Sequence, residues 1–425
     1  MALSFGLLGA SLKKALPAFI IRMVNGRTYG TIGGGYIDAS GNAYVSVSNS
    51  NGGSDGGQIT QKIAPDNSVV WSYSYSNSYG GDNALHQDNE GNVYTGGFHG
   101  NYPGDYYMYS VKYSASGTRL WQRWFGGSQT YPDGISVNGS GYSAMAGGPF
   151  TDGRFLLVDT NGSVVFSRSG NLKGESGEGG YTAGLGPDKV FFGHGRRFNV
   201  FDLSGNFKFG RSVSNFMNGG IVRGISDHDG NVYIWSSNDS NTIFLTKFTA
   251  TGSQIWDRQL TTSSGITWAS GQGAVDTSSN LYLPLGWTSA SGNGSSNKMF
   301  WISFDKNGNV RYQRSADVAN IQDVATGINV DSATGRGFVS SNLNNLNGGL
   351  ISFDLATGNQ APTSAYFSSG AITVSMTAGD WSITTPSTLS YSSIGDIGGS
   401  ASISSVDRGG SGGNTSYTIT RATFA

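Results

Sequence analysis

The residues of this chain best suited to chemistry are its four histidines, its scattered carboxylates and two aromatic loops. His86, His99, His194 and His228 stand far apart, with none of the short spacings that metal ligands adopt. Each reads as a polar residue satisfied by its surroundings. Asp227-His228-Asp229-Gly230 begins like a calcium loop, yet the later oxygen ligands and the closing Glu are absent, so a plain hairpin turn is expected there. Gly33–Gly35 is followed by no Lys-Ser/Thr and no helix pattern, which excludes a phosphate-binding loop. Glu175 and Glu178 lie in the Gly-rich GESGEGG, and no spacing pairs them with a second carboxylate as glycoside hydrolysis needs. No catalytic residue, cofactor site or metal ligand emerges, and the chain reads as non-enzymatic.

Binding is the remaining chemistry. Phe98–Tyr107 (FHGNYPGDYY) mixes aromatic and polar residues and supplies His99, Tyr102, Asp105, Tyr106 and Tyr107 as ligand candidates. Trp287–Asn297 (WTSASGNGSSN) supplies Trp287 and Asn293. Tyr and Trp beside Asn and Asp suit the faces and hydroxyls of sugars, and they suit a protein interface equally well.

Two repeated turns must position these loops. One is Asp-x-x-Gly-Asn-x-Tyr, found as DASGNAY (Asp38–Tyr44), DNEGNVY (Asp88–Tyr94), DHDGNVY (Asp227–Tyr233) and DTSSNLY (Asp276–Tyr282). Looser copies occupy Val137–Ala144, Gly186–Phe192 and Asp331–Phe338. Gly or Asn gives the positive φ of a short hairpin, and Asp can accept bonds from the turn amides. In the other turn a large ring follows the turn residue by four: Asn67 and Trp71, Gly117 and Trp121, Gly162 and Phe166, Gly205 and Phe209, Gly252 and Trp256, Gly308 and Tyr312. A seventh, Phe353–Asn359, has lost the ring.

The two turns alternate strictly, giving seven units of two hairpins each. Four-stranded units at a ~40–50-residue period are the pattern of a β-propeller. The expected fold is therefore all-β, a seven-bladed β-propeller over residues 20–368. A short N-terminal arm (1–19) precedes it and a small C-terminal β-module (369–425) follows. In unit two the strands are expected near Asn83–Asp88, Asn92–His99, Met108–Tyr113 and Arg119–Phe125. The +4 rings should fill the space between neighbouring blades. Unit seven lacks a fourth strand, so Phe19–Val24 or Tyr366–Ser368 is expected to close it and seal its edge.

DNEGNVYTGGF followed by VKYSASGTRLWQRWFGG resembles the SBBP-type propeller repeat of bacterial extracellular and tailed-phage virion proteins. The resemblance spans about residues 30–360; unit two matches closely, and units three, four and seven weakly. It implies blade geometry and brings no catalytic residues with it. Ser114–Trp121 also invites comparison with the sialidase Asp-box, but the Asp is missing and Trp121 falls one residue late.

Composition narrows the partners. Gly makes up 67 of 425 residues, charged residues only 12% and net charge is −1, whereas aromatics reach 12%. Disordered chains have the opposite balance. Lys13-Lys14 and Arg196-Arg197 are the densest basic runs, too short for nucleic acid. No apolar run approaches the ~18 residues of a membrane span. The absence of cysteine excludes disulfides, and Lys13 and Lys14 follow the apolar stretch Leu3–Leu12, the reverse of a secretory signal. The expectation is a structural or binding protein of a tailed-phage virion, in the tail, a fibre or attached to the capsid. It would be part of a multimeric assembly, contacting other virion proteins through the arm and the C-terminal module, with host-surface glycan as a further ligand. A secreted bacterial adhesin or lectin, extracellular in location, and a glycan-degrading enzyme are the alternatives.

Overall fold

The computed structural model describes residues 20–25, 30–49, 57–65, 68–76, 84–100, 106–125, 131–148, 153–170, 180–213, 221–237, 242–261, 266–268, 271–288, 298–318, 323–343 and 347–358. In the C-terminal segment it describes 364–367, 370–378, 382–384, 391–394, 405–406 and 419–423. The strands form seven antiparallel sheets, and the chain is an all-β, seven-bladed propeller. Blade 2 is representative, with strands Ala84–Gln87, Val93–Gly100, Tyr106–Tyr113 and Arg119–Phe125, within two residues of the sequence expectation at each end. Units three and four, whose repeats match weakly, are regular four-stranded blades as well.

The Asp-x-x-Gly-Asn-x-Tyr turns hold because one carboxylate closes the whole hairpin. Asp88 Oδ1 accepts from the amides of Glu90 (3.0 Å) and Asn92 (2.8 Å). Its Oδ2 accepts from Asn92 Nδ2 (2.9 Å) and the Tyr94 hydroxyl (3.0 Å). Asp38 and Asp276 repeat this set of four bonds. Burial first, then the facing carboxylate, pushes the hydroxyls of Tyr44, Tyr94 and Tyr282 well above the ordinary tyrosine value, so they remain donors.

Blades are locked together at the turn between the third and fourth strands. All six +4 rings are buried: Trp71, Trp121, Phe166, Phe209, Trp256 and Tyr312. Each described turn glycine sits on the ring of the preceding blade: Gly117 on Trp71, Gly162 on Trp121, Gly205 on Phe166, Gly252 on Phe209, Gly308 on Trp256 and Gly358 on Tyr312. Donors from that preceding blade then satisfy the turn's carbonyls. Trp121 Nε1 donates to Thr160 O (2.8 Å), Lys247 Nζ to Lys306 O (3.0 Å) and Tyr312 OH to Leu355 O (3.2 Å). An arginine two residues past the ring does likewise: Arg211 to Gly252 O (2.6 Å), Arg258 to Gly308 O (2.7 Å) and Arg314 to Thr357 O (2.6 Å). These guanidinium groups also lie 5.2–5.5 Å over their own blade's ring. In blade 1 Tyr73 takes the arginine's place and donates to Gly117 O (2.6 Å).

The N-terminal strand closes the ring, as one of the two expectations had it. Ile20–Asn25 pairs antiparallel with Asn347–Asp354, Val24 opposite Gly348, and so becomes the fourth strand of blade 7. Blade 7 meets blade 1 through the Tyr36 hydroxyl on Asp331 (3.0 Å) and Asn329 Nδ2 on Gly35 O (2.9 Å). The other closing candidate lies elsewhere: Ser364–Phe367 forms a hairpin with Gly370–Ala378 at blade 6.

The C-terminal segment, expected as an appended β-module, makes no sheet of its own among the described residues. Its strands lie antiparallel on the outer edges of five of the seven blades. Gly370–Ala378 is on blade 6, Ser382–Thr384 on blade 5, Tyr391–Ile394 on blade 4 and Ser405–Val406 on blade 2. Ile419–Thr423 returns to blade 7, pairing with the N-terminal strand. The order 6, 5, 4, 2, 7 runs backward around the ring. The physical reason is that each outer strand carries an unpaired backbone edge, and a short strand satisfied there needs no core of its own. The arm, residues 1–19, lies outside the described residues.

Candidate functional site

Antiparallel strands put their first–second turns on one face of the ring and their second–third loops on the other. On the turn face a cavity of about 610 Å³ opens along the axis, lined from all seven blades. First strands pack closely around it because several carry glycine where they meet; a Cβ on Gly34 would lie 2.5 Å from Leu85 N, and one on Gly134 2.7 Å from Ala183 N.

The lining is mixed, apolar over more than half of its surface and nearly uncharged. Its two aspartates are occupied in holding turns: Asp88 as above, and Asp331 by the amides of Ala333 (2.9 Å) and Thr334 (3.2 Å), the Thr334 hydroxyl (2.7 Å) and Tyr36. Asn138 is also committed, its Oδ1 accepting from Ser140 N and Tyr142 N (both 3.1 Å) and its Nδ2 donating to Gly186 O (3.0 Å). Asn89 and His228, both exposed, present their side chains at the rim. His86 is half-buried at the wall, and burial pushes its pKa down to about 4, so the imidazole is neutral at physiological pH. Hydroxyls, amides and the neutral His86 imidazole can exchange hydrogen bonds with an uncharged polar ligand, while among the described lining residues both carboxylates are engaged in their turns.

Asp227–Gly230 is a hairpin turn. Asp227 is fully buried, accepts from Asp229 N (3.0 Å) and Asn231 N (2.8 Å) and pairs with Lys247 Nζ at 2.8 Å. Among the described residues no group of three or more His, Asp or Glu is placed to hold a metal.

The described loop candidates lie on the opposite face from this cavity. His99 and Tyr106 flank the second–third hairpin of blade 2, with His99 paired to Tyr107 and Gly100 to Tyr106. Tyr107 is half-buried, its ring edge-on to Trp124 at 6.3 Å, which gives it a packing role. Trp287 stands in a strand of blade 6, opposite Thr267 on one side and Lys298 on the other. Tyr102, Asp105 and Asn293 lie outside the described residues. Sequence reasoning read the first–second turns as scaffold alone and missed that seven of them converge on the axis. The strict spacing of the Asp turns was the available signal, since equivalent turns of a closed ring must share one end.

Comparison with protein-family models finds no match, and none of the curated proteins matches. Among solved structures the chain is similar to the WD40 domain of Toxoplasma gondii coronin, at 13% identity and TM-score 0.47, over 82% of this chain and 89% of that one. It is also similar to a protein from Lactobacillus plantarum, at 12% identity and TM-score 0.46, over 81% and 95%. A third is the Pan2 WD40 domain of Neurospora crassa, at 10% identity and TM-score 0.43, over 81% and 98%. Likeness at this level concerns the fold alone.

Proposed function

We propose that this chain is a non-enzymatic binding protein that takes an uncharged polar ligand, a neutral glycan segment, at the axial cavity. The carrying observation is that the cavity is ringed by turns from seven interlocked blades, while the carboxylates in its wall are already spent on those turns. A rigid rim of amides and hydroxyls loses little entropy when a ligand docks. The SBBP-type repeat resemblance supports a setting in a tailed-phage virion, with the ring as interaction platform for host-surface glycan or virion partners.

Titration calorimetry of the full chain with host-surface polysaccharide tests the reading. Asn89→Ala and His228→Ala, which remove rim side chains outside the turn-holding bonds, are expected to weaken binding at least ~10-fold, the loss of about one hydrogen bond to a ligand. Melting temperature should stay unchanged. Binding that survives both changes would move the site elsewhere, and release of reducing ends would make the protein an enzyme. Detection of the chain in purified particles tests the setting.

A further inference from the structure

The axial cavity ends at one level around the ring. In blades 1, 2, 3, 5 and 7 its wall begins two residues before the turn's Asp or Asn, at Tyr36, His86, Ser136, Ile225 and Asn329, and no described residue deeper in those first strands lines it. What lies beneath is backbone packed on backbone. Gly35, Gly184, Gly224 and Gly327, on the first strands of blades 1, 4, 5 and 7, are buried although they have no side chain to cover them. A first strand turns its inner backbone edge to the axis, so a water-filled channel at this depth would expose those glycines.

Two carboxamides complete the floor. Asn329 Nδ2, from blade 7, donates to Gly35 O of blade 1 (2.9 Å) and to Leu85 O of blade 2 (3.3 Å). Gln272 lies between the two short pieces of blade 6's first strand, Ile266–Trp268 and Ala274–Val275. Its Nε2 donates to Gly224 O of blade 5 (3.1 Å), and its carbonyl accepts from Ile328 N of blade 7 (3.2 Å). A Cβ on Gly184 of blade 4 would lie 3.0 Å from the same Nε2. A side chain that reaches the second blade round the ring must pass on the axis side of the blade between.

We propose that the cavity is blind, closed at its floor by Asn329 and Gln272, and that it takes the free end of a glycan chain and not a stretch of its interior. The inference rests on the ligand reading at the axis. A chain held along its interior has two continuing arms. In a through channel these leave by opposite faces, whereas in a blind pit both must leave by one mouth. A chain end has a single arm. At about 610 Å³ the cavity falls within the range of pockets that enclose most of a small ligand. The end sugar also carries a free hydroxyl that an interior sugar has spent on its glycosidic bond. Both floor bonds of Asn329 use Nδ2, which leaves Oδ1 as an acceptor for that hydroxyl.

The test is a printed array of neutral oligosaccharides, attached through their reducing ends, with each motif present both at the free end and capped by one further sugar. The full chain is expected to bind uncapped glycans at least ~10-fold more tightly than their capped forms, the equivalent of one or two hydrogen bonds lost at the floor. Asn329→Ala, shown by its melting curve to be folded, should weaken the uncapped form and leave the capped form as it was, since only a chain end reaches the floor. A merely structural loss would weaken both alike. Equal binding of capped and uncapped glycans by the wild type overturns the blind pocket while leaving an axial site in place. An end preference that folded Asn329→Ala keeps in full puts the chain end elsewhere and overturns it too. An array on which no neutral glycan binds removes the axial ligand reading and this inference with it.

Discussion

Substituting Gly117 by alanine asks the interlocking turns for a quantity. Gly117 has φ of 92°, and a Cβ there would come 2.5 Å from both Cγ and Cδ1 of Trp71 in the preceding blade. Gly335 is the matched reference: its φ is 70°, and a Cβ would meet nothing within 4 Å. Both substitutions suffer the left-handed backbone penalty of about 1–2 kcal/mol. Gly117→Ala must also displace a buried indole, and overpacking of that kind adds about 1–3 kcal/mol. Gly335→Ala should therefore cost about 1–2 kcal/mol and Gly117→Ala about 2–5. Urea unfolding followed by tryptophan fluorescence gives both, compared at a common m value. In a Trp71→Ala background the steric part should vanish and the Gly117→Ala cost should fall to the backbone part. Equal costs for the two glycines, within the ~0.3–0.5 kcal/mol scatter of such comparisons, would refute the socket between blades.

Ser279 takes the place of glycine in DTSSNLY and is the one non-glycine at positive φ among the described residues, at 62°. Ser279→Gly should stabilise by about 1 kcal/mol, because the backbone penalty goes while the Ser279 carbonyl still accepts from Tyr233 OH; a lower melting temperature would show that the serine hydroxyl outweighs the strain. His86 sets a pH dependence. Its folded pKa, about 4, lies below the ordinary 6.5, so the unfolded chain binds the proton first. Its contribution is present in full above pH 6.5 and is lost as pH falls toward 4. The ceiling is about 3 kcal/mol, reduced by water in the cavity beside it. His86→Gln should flatten the urea midpoint between pH 7 and pH 5 relative to the wild type; parallel slopes would show that His86 is freely solvated.

Periodic turns made the ring legible, because each of them is a local device. Asp88, Asn92 and Tyr94 lie within seven residues and carry the whole hairpin, so their spacing survives in the chain as a pattern. The +4 ring was equally legible, since a bulky group at a fixed step from a turn has to face the next blade. Its partner arginine was not. Arg168, Arg211, Arg258 and Arg314 stand two residues beyond the ring, a regular signal, but arginine on an outer strand also suits open solvent. Only the arrival of the next blade's carbonyl turns it into a connector. Ring closure falls between these cases: Phe19–Val24 reads as a strand without a neighbour, and the open seventh blade supplies the vacancy that Ile20–Asn25 fills.

The C-terminal segment and the cavity were hidden for a shared reason: neither is encoded next to itself. A fifth strand needs only a few residues with free backbone groups, and Ser382–Thr384 or Ser405–Val406 has no pattern beyond that. Its partner is chosen by reach along the circumference, more than a hundred residues away in sequence, as Leu260 with Ile383 shows. The axial cavity is likewise made from the leftover side chains of seven hairpins, Asn89 and His228 among them, at positions where the turn itself imposes no choice. Aromatic loops drew attention to the other face because their composition stands out locally, whereas a site assembled by symmetry shows little in any one repeat. In a closed ring, positions that the repeat leaves free and the axis brings together are where a ligand-specific function can vary without cost to the fold.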